Sequence, residues 1–314
     1  MDDEHTSPLV SVVIAAYNSA HFIRDCLKAI ISQTYKNIEI VVIDDGSVDD
    51  TVAIIQTEFE GRVRLISQSN QKVAAARHTG MQHITGKFVA FCDHDDLWLP
   101  EKIEKQIVVF LNNPDCCLVH SDAEELRVTD GGKTLYSALH PHIKEQKSIF
   151  ARMIRNFSVP LFSTVMIRRD FLNKHDIQFA TMPPGVDDLG IFLQIIMCGG
   201  RFMYLGEPLV IRQMHESNQS SDYLLRFQRR VYLYTYLLER NKHNVNQQYV
   251  CDIRWGVADA AYRVADTLSG SGKIGDSKKM YCIAWANNKR NVKAFIKMLI
   301  AHLGGYRLFS SSNN

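Results

Sequence analysis

The chain has 314 residues, enough for one large α/β domain with an extension or for two modest domains. Its 46% hydrophobic and 22% charged composition is ordinary for a globular protein, and a formal net charge of +2 gives no global electrostatic case for nucleic-acid binding. Residues 1–7 lack the basic and apolar regions of a signal peptide, no run approaches the roughly 18 apolar residues of a membrane span, and none of the seven cysteines forms a C-x-x-C pair. A reduced, cytoplasmic setting is expected on these grounds, with Cys116 and Cys117 as small buried hydrophobes.

The first half alternates between two periodicities. Residues 9–15 (LVSVVIA) form a β-branched run suited to a strand buried on both faces. Asn18 or Ser19 is expected to cap a helix whose apolar positions Phe22/Ile23, Cys26/Leu27 and Ile30/Ile31 follow helical spacing. A second buried strand covers residues 38–43, the Asp44-Asp45-Gly46-Ser47 turn follows, and Asp49/Asp50 open a helix to about Phe59. Strand 63–67, helix 73–84 and strand 88–92 come next, the last running into Asp93-His94-Asp95-Asp96. Pro100 suits the first turn of a helix to about Asn112, and residues 116–120 return as a strand. Beyond, 127–148 reads as a loop, 161–167 as a strand, 186–197 as a helix and 201–205 as a strand; from about Ser220 the pattern is helical. Such alternation predicts an α/β fold: a mostly parallel sheet with helices on both faces (residues 1–218), followed by a helical extension (residues 219–314).

In open α/β sheets ligands bind beyond the carboxyl ends of the strands, and the polar groups of this chain fall there. The first strand ends in Ala16-Tyr17-Asn18, the second in Asp44-Asp45 and the fourth in Asp93-His94-Asp95-Asp96. Any one such turn is explained by the capping preference of Asp, Asn and Ser. Three in one sheet are less easily dismissed. Three carboxylates within four residues repel one another unless a cation or donor compensates, and Mg²⁺ or Mn²⁺ take oxygen ligands that they share with phosphates. Residues 15–20 contain no glycine, which counts against a G-x-G-x-x-G dinucleotide loop and a P-loop, so bound phosphates would need a cation. Asp187-Asp188 open a helix, a place the helix dipole favours for acids by itself. His215 follows a strand-like segment as either a surface residue or a ligand.

Taken together, VSVVIAAYN, QTYKNIEIVVIDDGSVDDT, AAARHTGM, GKFVAFCDHDDLW, VMIRRDFL and DDLGIFLQIIMCGGRFMYLGEPLVIRQMHES resemble, in order and spacing, the inverting family-2 glycosyltransferases of the GT-A fold. The resemblance covers about residues 8–218. It implies that Ala15, Tyr17, Asp45, Arg77, Asp93 and His94 contact the donor nucleotide, Tyr17 lying against the base and Asp45 accepting a hydrogen bond from it. It further implies that Asp95 and His215 hold Mn²⁺ or Mg²⁺, that Asp188 is the catalytic base, and that Asp187 and Trp98 meet the acceptor or sugar. The chain departs from the family pattern at Asp187, where the family has Glu, and at residues 181–186, which carry two prolines.

An inverting displacement needs one base for the acceptor hydroxyl and one electrophile for the departing diphosphate, which these residues supply without a covalent nucleophile. The family implies a nucleotide-sugar donor, UDP-linked by preference, and a glycan or lipid-linked glycan acceptor. A nucleotidyltransferase would want a Gly-rich basic loop after the first strand, and a non-catalytic binding protein would not need Asp95, Asp188 and His215 together. From Lys278 onward there are seven Lys/Arg and no acid. Val292, Phe295, Ile296, Leu299 and Leu303 form an apolar stripe flanked by Lys289, Arg290, Lys293 and Lys297, which suits either an anionic membrane surface or packing on the catalytic domain. Trp255, Trp285 and the Tyr232-Tyr234-Tyr236 series suit either sugar stacking or core packing.

Overall fold

The computed structural model describes residues 7–129, 132–138, 146–156, 159–183, 185–215, 222–240 and 247–302. Its first part alternates as the periodicity predicts: β1 (Val10–Ala16), α1 (Ile23–Ile31), β2 (Ile38–Asp44), α2 (Thr51–Glu58), β3 (Arg64–Ser67), α3 (Val73–Gln82) and β4 (Phe88–Asp93). Val10, Val12, Val13 and Ile14 of β1 are 0–1% exposed, as expected for a strand covered on both faces. β1 pairs in parallel with β2 on one side and β4 on the other. Helix α3 seats closely on this sheet because Gly80 faces Val13, where an added Cβ would lie 2.4 Å from Val13 Cγ1.

At the helix starts, the expected cap of α1 changes, while Asp49 and Asp50 open α2 as expected. Neither Asn18 nor Ser19 caps α1 with its side chain. The backbone carbonyl of Ser19 accepts from the amides of Phe22 and Ile23, both at 2.9 Å. Asn18 instead takes a left-handed conformation (φ 49°), tolerable for Asn, and its Oδ1 accepts from Val48 N at 2.9 Å, joining the turn after β1 to the turn after β2. α2 starts at Thr51, whose amide donates to Asp49 Oδ1 at 3.1 Å.

The rest of the sheet is longer than the sequence advertises. After β5 (Asp96–Trp98) and α4 (Lys102–Asn112) come β6 (Cys116–Thr129) and β7 (Gly132–Ala138), a hairpin where a loop was expected over 127–148. Helix α5 (Gln146–Asn156) closes that span, and residues 130–131 and 139–145 of it lie outside the described residues. The segment 161–167 is not one strand: Phe162–Thr164 forms a 3-10 turn ahead of β8 (Val165–Arg168). After α6 (Arg169–Lys174) and α7 (Asp187–Met197), β9 runs from Arg201 to Met214 instead of stopping at residue 205. Its Gly206-Glu207-Pro208 stretch, which breaks the strand pattern in sequence, is absorbed by a register shift against β6 between Ser121 and Asp122.

Among the described residues, nine strands form one mixed sheet with the path β3-β2-β1-β4-β8-β6-β9-β5, and β7 adds to β6. The parallel part is β3-β2-β1-β4 together with the β6/β9 pair, while β8 and β5 run antiparallel to their neighbours. Cys116 and Cys117 are buried, as expected.

The chain divides into two compact units. The first contains the sheet and its helices. The second comprises residues 219–314 together with Phe150–Phe157, a stretch within the first part of the sequence that belongs to the helical unit. There Arg155 pairs with Asp252 at 2.8 Å, and Phe150 packs on Tyr249. Helices α8 (Tyr223–Arg240), α9 (Gln247–Gly270), α10 (Ile274–Asn287) and α11 (Val292–His302) make up the remainder. Tyr234 is fully buried and Tyr232 is exposed. No helix of the described residues is long and apolar enough to cross a membrane.

Candidate active site

The register of the parallel strands assembles the site. Ala16 lies opposite Asp44, and Ala15 opposite Asp93, so the carboxyl ends of β1, β2 and β4 are neighbours at one edge. Tyr17, just past β1, is 42% exposed and available to a ligand. Asp45 is buried and organises its own loop, accepting from Gln68 Nε2 at 2.7 Å, Gln71 N at 2.9 Å and Lys72 N at 2.8 Å. A carboxylate offers about four lone-pair sites, so about one remains for a ligand such as a base.

The aspartates after β4 are each held differently. Asp93 Oδ1 accepts from Arg77 at 2.6 Å, and its amide donates to Ser163 Oγ at 2.9 Å. Asp95 Oδ2 stands 2.9 Å from His215 Nε2. His215 reaches it because β5 pairs antiparallel with the far half of β9, with Asp96 opposite Arg212, and because Gln213 Nε2 donates to the Asp95 carbonyl at 2.8 Å. The His215 ring stacks on Phe22 of the turn before α1, with centroids 4.6 Å apart. Asp96 is buried, and burial together with the charges of Asp93 and Asp95 pushes its carboxyl well above the ordinary carboxylate range. Ser163 Oγ accepts from the Asp93 amide, and its hydroxyl acts against the rise of the Asp96 carboxyl, so the turn Phe162–Thr164 braces the acidic loop. Ser163 lies within the segment expected as a strand, where a neutral hydroxyl carries no signal of such a role.

Arg77 connects the two halves of the site. Its guanidinium is buried, lies 4.3 Å over the Phe162 ring, and pairs with Asp93 at 2.6 Å and with Asp187 at 2.5 Å. Helix α7 is thereby tied to the end of β4, and Asp188, next to Asp187, joins the acidic cluster. Asp188 is half-buried; burial and the adjacent Asp187 charge push its carboxyl from 3.8 up to about 6. A carboxylate of that basicity suits proton abstraction near neutral pH.

Three of the residues expected at the site are engaged by other parts of the chain. Asp187 is 1% exposed, with Oδ2 on Arg77 and Oδ1 accepting from Gly185 N at 3.0 Å, and so anchors the start of α7. Trp98 is 3% exposed, and Lys102 Nζ lies 3.8 Å from its ring centroid. Arg77 is 7% exposed and its guanidinium is paired with two carboxylates. Ala15, His94 and Asp93 keep partial exposure at the strand ends. Within residues 181–186, Pro184 lies outside the described residues.

Asp95 and His215 supply one oxygen and one nitrogen donor aimed at each other. Among the described residues no group of three His, Cys, Asp or Glu side chains converges to hold a metal unaided. The pair therefore fits a cation that draws its other ligands from phosphates and water, the habit of Mg²⁺ and Mn²⁺.

The chain is similar to known glycosyltransferases. The chain is 30% identical over 172 residues to WfgD of Escherichia coli, a UDP-Glc:alpha-D-GlcNAc-diphosphoundecaprenol beta-1,3-glucosyltransferase, covering 54% of this chain and 64% of WfgD. It is 41% identical over 107 residues to glycosyltransferase GlyA of Streptococcus pneumoniae, covering 32% of this chain and 15% of that one. The chain thus spans less than two thirds of the length of these curated relatives. Among solved structures, Staphylococcus aureus TarS 1-349 in complex with UDP-GlcNAc superposes with a TM-score of 0.67 over 95% of this chain and 88% of TarS, at 16% identity. A mannosyltransferase from Pyrobaculum calidifontis in complex with GDP-Man and Mn²⁺ gives 0.56 over 99% and 90%, at 17% identity. These likenesses fix the fold as GT-A. The model of the Glycosyl transferase family 2 matches residues 11–176, more than half of the chain, which belongs to that family.

Proposed function

We propose that this protein is an inverting, metal-assisted glycosyltransferase that moves a hexosyl or N-acetylhexosaminyl group from a UDP-sugar to an acceptor hydroxyl. What supports the reading most is the Arg77 bridge, which pairs Asp93 of the donor edge with Asp187 and so brings Asp188 to the same cluster. In this reading Tyr17 and the last lone pair of Asp45 receive the base, and Asp93 with His94 the ribose and phosphates. Mn²⁺ or Mg²⁺ would be held by Asp95, His215 and the diphosphate, and supplies positive charge to the leaving phosphate. Asp188 takes the acceptor hydroxyl's proton as its oxygen bonds the anomeric carbon. The bond from that carbon to the diphosphate breaks with its electron pair, and configuration inverts. Arg77, by neutralising Asp93 and Asp187, keeps Asp188 from being raised further and so ionised at neutral pH.

The acceptor proposed is a glycan linked to a polyprenyl diphosphate, met at the cytoplasmic face of a membrane during surface polysaccharide synthesis. WfgD, named for such an acceptor, supports this class. Incubating the protein with a panel of nucleotide-sugars, with and without Mn²⁺, and following nucleoside diphosphate release tests the function. Release from a UDP-sugar that requires the cation and is lost in Asp188→Asn is the expected result. Release of pyrophosphate from a sugar phosphate and UTP would identify a nucleotidyltransferase, and binding without turnover a non-catalytic protein.

A further inference from the structure

The last helix, α11, is oriented unlike a helix that only completes a core. At about 100° per residue, Ala294 and Ala301 fall on one side and Val292, Ile296 and Leu299 on the other. The alanines are the buried side, 0% and 7% exposed, and Ala294 clusters with Ala261 and Ala284. The large residues point out: Val292 is 59%, Ile296 49% and Leu299 42% exposed. Phe295 is absent from this stripe, since its ring packs on Trp285 at 4.7 Å, and Leu303 lies outside the described residues. Lys297 also turns inward, bonding Asp266 and lying 5.2 Å over the Tyr262 ring. The cations beside the stripe are Lys289, Arg290 and Lys293, all exposed. No Asp or Glu occurs from residue 277 to the end of α11.

A soluble surface helix turns its large apolar residues in and its small or charged ones out. Here the small residues make the seat and the large ones face outward beside Lys289, Arg290 and Lys293, none of which pairs with an acid among the described residues, although Lys289 also lies 4.9 Å over the Trp285 ring. We propose that this face of α11 docks on an anionic lipid surface, Val292, Ile296 and Leu299 entering the headgroup boundary while Lys289, Arg290 and Lys293 meet lipid phosphates. A second copy of the chain is a poorer occupant, because self-pairing would bring like charges together. The purpose of such docking rests on the lipid-linked acceptor proposed above, but the docking itself does not.

Sedimentation of the full chain with lipid vesicles tests it. Binding is expected with phosphatidylcholine vesicles containing phosphatidylglycerol, and neither with phosphatidylcholine alone nor at high salt. Each near-surface cation contributes roughly fivefold to partitioning, so Lys289→Gln, Arg290→Gln and Lys293→Gln combined should weaken binding by about a hundredfold. Val292→Ser, Ile296→Ser and Leu299→Ser combined should abolish it while UDP affinity and the unfolding midpoint stay unchanged. Absence of wild-type binding to the anionic vesicles, or either triple variant sedimenting like wild type, overturns the proposal. So does vesicle-free dimerisation that the serine variant disperses, which would assign the face to a second copy. Vesicle binding is read without donor, so its failure leaves the transfer reading intact, and failed transfer leaves a positive vesicle result standing.

Discussion

Replacing Asp188 by Asn should remove activity and add stability at once. The carboxyl is pushed from 3.8 to about 6 by burial and then by the Asp187 charge. The folded chain therefore binds this proton more tightly than the unfolded chain does. Stability falls as pH rises between those values, and the loss persists above about 6. A shift of this size corresponds to about 3 kcal/mol. The carboxylate keeps a path to solvent and lies at a helix N-terminus that favours its charge, so about 1–2 kcal/mol is expected. Asn has nearly the same shape and no charge, so Asp188→Asn should raise the unfolding free energy by that amount near pH 8 and leave it unchanged near pH 4. Transfer should drop by about 10²–10⁴-fold, the usual contribution of a general base, with UDP affinity unchanged. Wild-type kcat/KM should fall tenfold per pH unit below about 6, and that limb should vanish in the variant. Urea titration at the two pH values and UDP release across the acidic range make the measurement. Near-normal transfer by the Asn variant, or destabilisation near pH 8, would refute the assignment of Asp188 as base.

Three further outcomes follow from the same geometry. Asp95→Ala should abolish the Mn²⁺-dependent gain in UDP affinity, since no glycine-rich loop exists to take over the phosphates; calorimetry with and without Mn²⁺ checks it. Arg77→Met should leave two buried or half-buried carboxylates unpaired, lowering stability by about 3–5 kcal/mol and moving the acidic limb of kcat/KM upward, both readable in urea and pH titrations. Lys102 is fully buried, and burial lowers its pKa to about 7, so the folded chain binds this proton less tightly than the unfolded one. Stability should therefore climb as pH rises from about 7 toward 10.5, and Lys102→Met should be more stable than wild type by about 2–4 kcal/mol near pH 6 while the two converge near pH 10, as chemical denaturation would reveal.

How much of the fold was legible depended on burial. Strands β1, β2 and β4 are covered on both faces, and such strands read as continuous apolar runs whose ends can be placed within a residue or so. β6, β7 and the far half of β9 are less uniformly apolar, and their pairing is recorded in backbone hydrogen bonds that composition does not express. Gly206 and Pro208 looked like the end of a strand because either residue alone usually is one, yet a register shift accommodates both. β5 has three residues and exists only because β9 passes beside it.

For the site, sequence gave away the carboxylates but not their division of labour. Acids at strand ends stand out because so many of them occur where a cap needs only one. Which acid faces a ligand and which one holds another side chain is decided by contacts more than a hundred residues apart in sequence, such as Arg77 with Asp187. Asp187 and Asp188 are adjacent and chemically identical. Helical geometry turns the first inward to a buried guanidinium and leaves the second half-open with a raised pKa. Ser163 shows the opposite limit. A neutral hydroxyl in an apolar segment carries no sequence signal, yet it accepts from the Asp93 amide and steadies the Asp96 carboxyl. Charge is therefore a good guide to where such a site lies. The neutral and paired residues that fix its geometry become visible only when the chain is folded.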